Sequence, residues 1–162
     1  MPKATILAAL DVSGLPYEVL PCDPKFADTA AFCEHYGYSL DNSANMIVVK
    51  GKSSEQKFAA CVLLATTKLD TNRAVRKRLA ARRVSFASAE ETRELTGMEI
   101  GGVAPIALPD ALPLWVDHRV MDCNFVLIGG GDRYSKIKIS PDYFHKTPST
   151  AIVEGLAKEK NQ

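Results

Sequence analysis

From Thr96 to Ile106 the chain reads T-G-M-E-I-G-G-V-A-P-I, which puts three glycines and a proline within ten residues in a run with few charges. Glycine is used where the backbone needs φ > 0 or must let another group approach closely. Proline fixes φ and removes a donor, so Pro105 stiffens the exit of this loop. A second cluster, Gly129-Gly130-Gly131-Asp132-Arg133, follows a short apolar run. Two loops rich in bare main chain suggest a site where peptide N–H and C=O groups read a ligand. The alternative is a pair of ordinary turns between strands. Neither cluster spells G-x-G-x-x-G or G-x-x-x-x-G-K-[ST], so neither of those phosphate fingerprints is present.

Around these loops, periodicity and turn signals place the elements. Residues 3–13 read as a short helix ended by Gly14, with Ile6, Leu7 and Leu10 on one face. Tyr17 to Leu20 reads as a strand stopped by Pro21 and Pro24. Asp28 and Thr29 open a helix to about Tyr36, which Gly37 closes. Ala44 to Lys50 and Lys57 to Thr66 form a hairpin about Gly51-Lys52-Ser53-Ser54. Asp70 or Thr71 caps a helix to about Ala81, and Val84 to Ala87 is a short strand. Ser88 and Glu91 make a capping box for a helix that ends before Gly97. Leu114 to Val116, Asn124 to Ile128 and Tyr134 to Ile139 are strand-like. Ser140-Pro141 starts a helical turn, Ala151 to Ala157 reads as a final short helix, and Lys158 to Gln162 as a frayed end. Hairpins and helix-separated strands coexist. That predicts an α/β fold with a mixed sheet or small barrel and helices packed outside, not a Rossmann-type sheet.

At 162 residues, 46% hydrophobic and 24% charged, the chain has the makeup of one ordinary globular domain over 1–162. A net charge of +1 argues neither for nor against nucleic acid. No apolar run approaches the roughly 18 residues of a membrane span, and the start lacks the pattern of a secretory signal. The expected location is therefore cytoplasmic. Cys22, Cys33, Cys61 and Cys123 are widely spaced, as free thiols would be, and lack metal-site spacing. His35, His118 and His145 are scattered. His118, which follows Asp117 near the second glycine cluster, is the one histidine singled out, the alternative being a surface or satisfied loop histidine.

Residues 73–83 carry a dense basic run. Arg73, Arg76, Lys77 and Arg83 can share one broad face, which would attract phosphates without reading sequence. The alternative is a solvated face balanced by Glu90, Glu91 and Glu94.

With the elements placed, the chain resembles the YbaK family, a domain also found inserted in or attached to prolyl-tRNA synthetases. The residues that carry the resemblance are Thr96-Gly97 with Gly101-Gly102-Val103-Ala104-Pro105, then Asp117, then Gly129-Gly130-Gly131 through Ile137-Lys138-Ile139-Ser140-Pro141. Asp28 to Gly37 and Leu69 to Leu79 also fit. The resemblance implies a barrel-like mixed α/β fold and hydrolysis of mischarged tRNA, cysteinyl- or alanyl-tRNA(Pro) being the familiar substrates. It implies no metal or other cofactor, and chemistry resting on backbone groups of the glycine loop with help from the ribose hydroxyl. The partner it implies is the acceptor end of tRNA, with a synthetase as a further candidate. On this reading Gly101 and Gly102 stabilise the developing oxyanion, and Thr96, Gly97, Val103, Ala104, Pro105, Asp117, Gly129, Gly130 and Arg133 bind substrate. Asp117 equally suits a structural pair with Arg119 or Arg133, and Thr96 equally suits a cap.

One departure stands out. Family enzymes carry an important lysine early in the first hairpin strand, where this chain has Asn45. Asparagine exchanges hydrogen bonds but carries no charge. Hairpin register suggests Lys68 as a replacement across the strand pair, or else as a surface residue leading into Asp70. A catalytically impaired homologue that binds tRNA or a small amino-acid-like ligand is therefore the competing reading, ahead of an enzyme for some unrelated ester or thioester.

Overall fold

The computed structural model describes residues 3–160. Helix α1 (Ala4–Ser13) ends at Gly14, whose φ of 73° closes it as expected. Strand β1 (Tyr17–Pro21) follows, then α2 (Thr29–Tyr36). β2 (Ala44–Lys52) and β3 (Gln56–Leu64) form the predicted hairpin, in register from Ala44↔Leu64 to Lys52↔Gln56. A short β4 (Thr67–Leu69) comes next. A π-helical turn over Thr71–Val75 then runs into α3 (Arg76–Leu79). β5 (Arg83–Phe86) and α4 (Ala89–Thr96) precede the glycine loop, and the Ser88–Glu91 capping box is formed in full. β6 (Leu114–Asp117), β7 (Val126–Gly129), β8 (Ser135–Ile139), β9 (Thr150–Val153) and β10 (Ala157–Glu159) complete the order.

The strands form a five-stranded sheet β5-β2-β3-β6-β9, a three-stranded sheet β1-β8-β7 and a ribbon β10-β4. The large sheet is mixed, as expected: β5, β2 and β3 pair antiparallel, whereas β3, β6 and β9 run parallel. It does not close into a barrel. The two larger sheets face each other and are linked by the bridge Ser43↔Leu127.

Strand alternation explains the packing. Met46, Val48, Ala60 and Val62 point from one face of the large sheet toward Val126, Ile128, Ile137 and Ile139, with Ile6 and Leu10 of α1 closing that core. The other face presents Val49, Ala59, Cys61, Leu63 and Trp115 to Val75, Leu79 and Leu156. β3 is thus covered on both sides, which accounts for its unbroken run Phe58–Leu64. A small third cluster joins Cys22, Ala27, Phe32 and Leu127 over the outer face of the three-stranded sheet.

Four expectations are corrected. The predicted helix over 151–157 is two strands, because Gly155 turns the chain at φ 74° and parallel pairing with β6 takes Ile152 and Val153. The strand predicted to Thr66 stops at Leu64. Thr67 Oγ1 donates to the Leu64 carbonyl there, and the chain turns off into β4, which pairs with β10. That pairing also orders Lys158 and Glu159, which were expected to fray; residues 161 and 162 of that end lie outside the described residues. The helix predicted to Ala81 ends at Leu79, where Ala80 adopts φ 51°.

Candidate functional site

A cavity of about 360 Å³ opens between the start of β2, the start of α2, the ends of β5 and β7, and the glycine loop. That is the size range of small-ligand sites. Its wall is largely apolar, with Met46, Val48, Phe32 and Ile128 among the contributors. Phe86 and Ile100 also line it yet remain 56% and 51% exposed, so they stand at its mouth. A second cleft of about 440 Å³ near Arg78 and Trp115 includes no residue of either glycine cluster.

The two glycine clusters meet directly. The Gly131 amide donates to the Gly102 carbonyl at 2.6 Å. A methyl on Gly102 would lie 2.1 Å from the Asp132 carbonyl oxygen, and one on Gly129 would lie 2.2 Å from that of Val103. These glycines therefore let one backbone segment lie against another. This corrects the reading in which Gly102 offers its amide to an ester, because that N–H donates to the Glu99 carbonyl at 3.0 Å. Gly101 differs. Its φ is 94°, it lines the cavity, and among the described residues its amide has no hydrogen-bond partner. Of the pair, Gly101 is the one that presents main chain to the cavity.

The remaining residues singled out in the sequence divide by location. Val103, Gly129 and Asn45 line the cavity. The Asn45 Oδ1 accepts from Thr29 Oγ1 at 2.5 Å, which fixes the amide against the first residue of α2. Thr96 caps, donating to the Thr92 carbonyl and accepting from the Met98 amide, and Gly97 ends α4 with φ 72°. Ala104 is buried in the main core, Pro105 lines a separate cleft, and Gly130 packs against Ser135. Arg133 donates to the carbonyls of Ile100 and Pro24 and lies 3.8 Å from Asp28, so it clamps the glycine loop to the start of α2.

Asp117 is fully buried away from the cavity. It accepts from the Ala157 amide at 2.9 Å and pairs with Arg119 at 3.6 Å, tying β6 to β10. Its neighbour His118 accepts from the Gly155 amide. Lys68 sits exposed on β4 opposite Lys158, outside the cavity lining, because the turn after Leu64 carries it off the hairpin register. The four cysteines are free thiols, and burial pushes Cys61 up to about 12. Among the described residues no group of His, Cys, Asp or Glu is arranged to hold a metal ion.

One cavity residue was missed. Lys136 of β8 is only 8% exposed. Its Nζ donates to the Ala27 carbonyl at 2.6 Å and to the Gly101 carbonyl at 3.3 Å, and lies 5.8 Å from the Phe32 ring centroid. Burial holds its pKa below the ordinary lysine value. In S-K-I-K-I the alternation assigns Lys136 to the face opposite Ile137, which reads as solvent. The segment from Cys22 to Tyr38 covers that face, and no local signal announces the cover.

The basic run lies on the surface. Arg73, Arg76, Lys77, Arg82 and Arg83 are exposed, and among the described residues none is in an ion pair. Glu91, offered as a counter-charge, instead pairs with Lys50 at 3.0 Å. Arg83 opens β5 and Phe86 closes it, so roughly 10 Å of strand separates the basic surface from the cavity mouth.

The profile of the aminoacyl-tRNA editing domain matches residues 23–147, well over half the chain. The chain belongs to the aminoacyl-tRNA editing domain family. The fold agrees. A hypothetical protein of known crystal structure superposes with a TM-score of 0.83 at 24% identity, covering 95% of this chain and 99% of its own. A protein described as a candidate trans-editing enzyme for prolyl-tRNA synthetase superposes at 0.78 with 20% identity, over 96% and 95% of the two chains. Both matches run nearly the whole length of the two chains. Among the described residues no helix is long and apolar enough to cross a membrane.

Proposed function

We propose that this editing domain acts in trans as an aminoacyl-tRNA deacylase, hydrolysing the ester of a tRNA charged with a small wrong amino acid, of the cysteinyl- or alanyl-tRNA(Pro) kind. The observation that carries the reading is the apolar cavity with Gly101 in its wall, whose amide is unpartnered among the described residues. A synthetase pocket rejects a smaller side chain poorly, since one methylene is worth only about 1–3 kcal/mol. A second site of limited volume can hydrolyse what the first admits. The amino-acid side chain enters the apolar cavity, the terminal nucleotide rests at the mouth beside Phe86 and Ile100, and the upstream phosphates meet Arg83, Arg73, Arg76 and Lys77. The Gly101 N–H faces the oxygen on which charge develops. Removal of one such donor costs about 3–4 kcal/mol in well-studied enzymes. Water is the nucleophile and the vicinal ribose hydroxyl assists proton transfer, so no side-chain nucleophile or metal is required.

Asn45 supports a second reading, in which the cavity binds an aminoacyl group without cleaving it, since a neutral amide cannot attract a phosphate or oxyanion as an ammonium does. A deacylation assay over a panel of mischarged tRNAs separates the two. The hydrolytic reading expects at least one small-amino-acid tRNA to be cleaved well above its spontaneous rate. Binding of the panel with no acceleration for any member would establish the second.

A further inference from the structure

Lys136 is a cation with no carboxylate within ion-pair distance among the described residues, held in the wall of a mostly apolar cavity. Burying a charge in that way is unfavourable unless something compensates it. Two backbone carbonyls do so in part. The bond to Ala27 is short and anchors the nitrogen, whereas the one to Gly101 is 3.3 Å long and easily exchanged for a ligand oxygen. The ammonium has a third N–H that neither carbonyl takes.

The surroundings decide which ligand atom suits that N–H. Gly129 lies directly across the strand pair from Lys136, so no side chain intervenes there. Asn45 and Lys136 grip the same short segment, at Thr29 and Ala27 respectively. The one carboxylate in the cavity lining belongs to Asp28. An α-ammonium would be repelled by Lys136 and attracted toward Asp28, which turns the acyl carbonyl toward the lysine.

We infer that Lys136 is a catalytic residue of this site, its ammonium donating to the acyl carbonyl oxygen of the bound aminoacyl ester together with the Gly101 amide. This rests on the deacylase reading above. As water adds, a bond forms from its oxygen to the acyl carbon, and the carbonyl π pair moves onto the oxygen that Lys136 and Gly101 face. The tetrahedral species collapses by breaking the bond to the ribose oxygen. That oxygen leaves with the proton given up by water, and the amino acid is released as the free acid. The charge that Asn45 does not carry is thus delivered from β8.

The charged and titratable groups around Lys136 are Cys22 at the end of β1, Asp28 before α2, Cys33 within α2 and Arg133 of the second glycine cluster. Burial also raises Cys22, so it stays a neutral thiol near pH 7. A base whose pKa is lowered by burial loses its charge at lower pH than a free lysine. Acceleration over the spontaneous rate is therefore expected to fall as pH rises, and to do so below the ordinary lysine value of 10.5.

The experiment uses the full chain and the tRNA it deacylates best. Lys136→Met is expected to lower kcat about 100-fold with little change in KM. Lys136→Arg is expected to recover at least tenfold over Met and to abolish the alkaline fall, since arginine does not deprotonate. A folded Lys136→Met variant with kcat within about threefold of wild type overturns the assignment. So does a wild-type alkaline profile that Lys136→Arg leaves unchanged. A measurement on the wild type alone covers misfolding variants and a chain inactive on every tRNA. Addition of amide-linked 3′-alanylamino-3′-deoxyadenosine is expected to shift the Lys136 Cε resonance by NMR, and saturation of the cavity without that shift overturns the proposal. If the shift occurs but no tRNA is cleaved, hydrolysis fails as the function while Lys136 stands as the carbonyl ligand of a binding site.

Discussion

A methyl group at residue 129 would stand 2.2 Å from the Val103 carbonyl oxygen and 2.8 Å from that of Gly102, both main-chain atoms that cannot rotate away. Gly37 makes the useful contrast, since its φ of 78° is the left-handed conformation but the space around it is open. Gly37→Ala is expected to lose only the roughly 1–2 kcal/mol of that conformation and to keep deacylase activity. Gly129→Ala must push the two glycine clusters apart. It is expected to lose at least about 1–3 kcal/mol from overpacking and most of the activity as well. Urea unfolding alongside the deacylation assay checks both. Equal activity in the two variants would mean that close approach of the clusters does not shape the site.

At the scale of elements, β5 joins two surfaces of different chemistry. Arg83 pairs in register with Lys52 at one end, and Phe86 reaches the cavity at the other. The π-helical turn and α3 add Arg73, Arg76 and Lys77, while buried Val75 and Leu79 seat them on the large sheet. Arg78 is used differently, lying over the Trp115 ring at 5.0 Å. Replacing both Arg73 and Arg76 by glutamate is expected to weaken tRNA binding and to flatten its dependence on log[salt] by about 0.7–0.9 for each phosphate that is no longer neutralised. Hydrolysis of a short aminoacyl-nucleotide, which does not reach those positions, should be unaffected. Titrations at several salt concentrations measure the slope, and an unchanged slope would remove this surface from the tRNA path.

At the scale of the molecule, the cavity draws on both larger sheets, with Ala44 to Val48 and Phe86 from one and Leu127 to Gly129 and Lys136 from the other. Met46 is 7% exposed and serves both the main core and the cavity wall. Met46→Ala is therefore expected to do two things at once. It should cost about 2–5 kcal/mol of stability, as for other large-to-small core changes. It should also admit acyl groups one or two methylenes larger, relaxing discrimination by about 1–3 kcal/mol for each. Competition between alanyl and larger aminoacyl esters reads the second effect. Unaltered size preference would place the acyl group elsewhere in the cavity.

Much of the architecture is legible in the chain because it depends on neighbours in sequence. Gly14, Gly37 and Gly97 end the helices they were expected to end, Ser88 and Glu91 form the expected box, and the hairpin 44–64 follows from two β-rich runs around a polar turn. The glycine loop is legible as a place of close main-chain approach, but which of its residues face the cavity is not, since Gly101 lines it while Gly102 packs against the second cluster. What long-range packing decides is different in kind. Parallel pairing with β6 overrides the helical look of residues 151–157, and the turn at Leu64 takes Lys68 out of the hairpin. The role of Lys136 depends on chain more than a hundred residues away folding over its strand, since Ala27 and Gly101 meet its nitrogen only in the tertiary structure. Local conformation is set by the energies of adjacent residues, whereas the electrostatics of a buried group are set by whatever covers it, and that cover is a property of the folded chain alone.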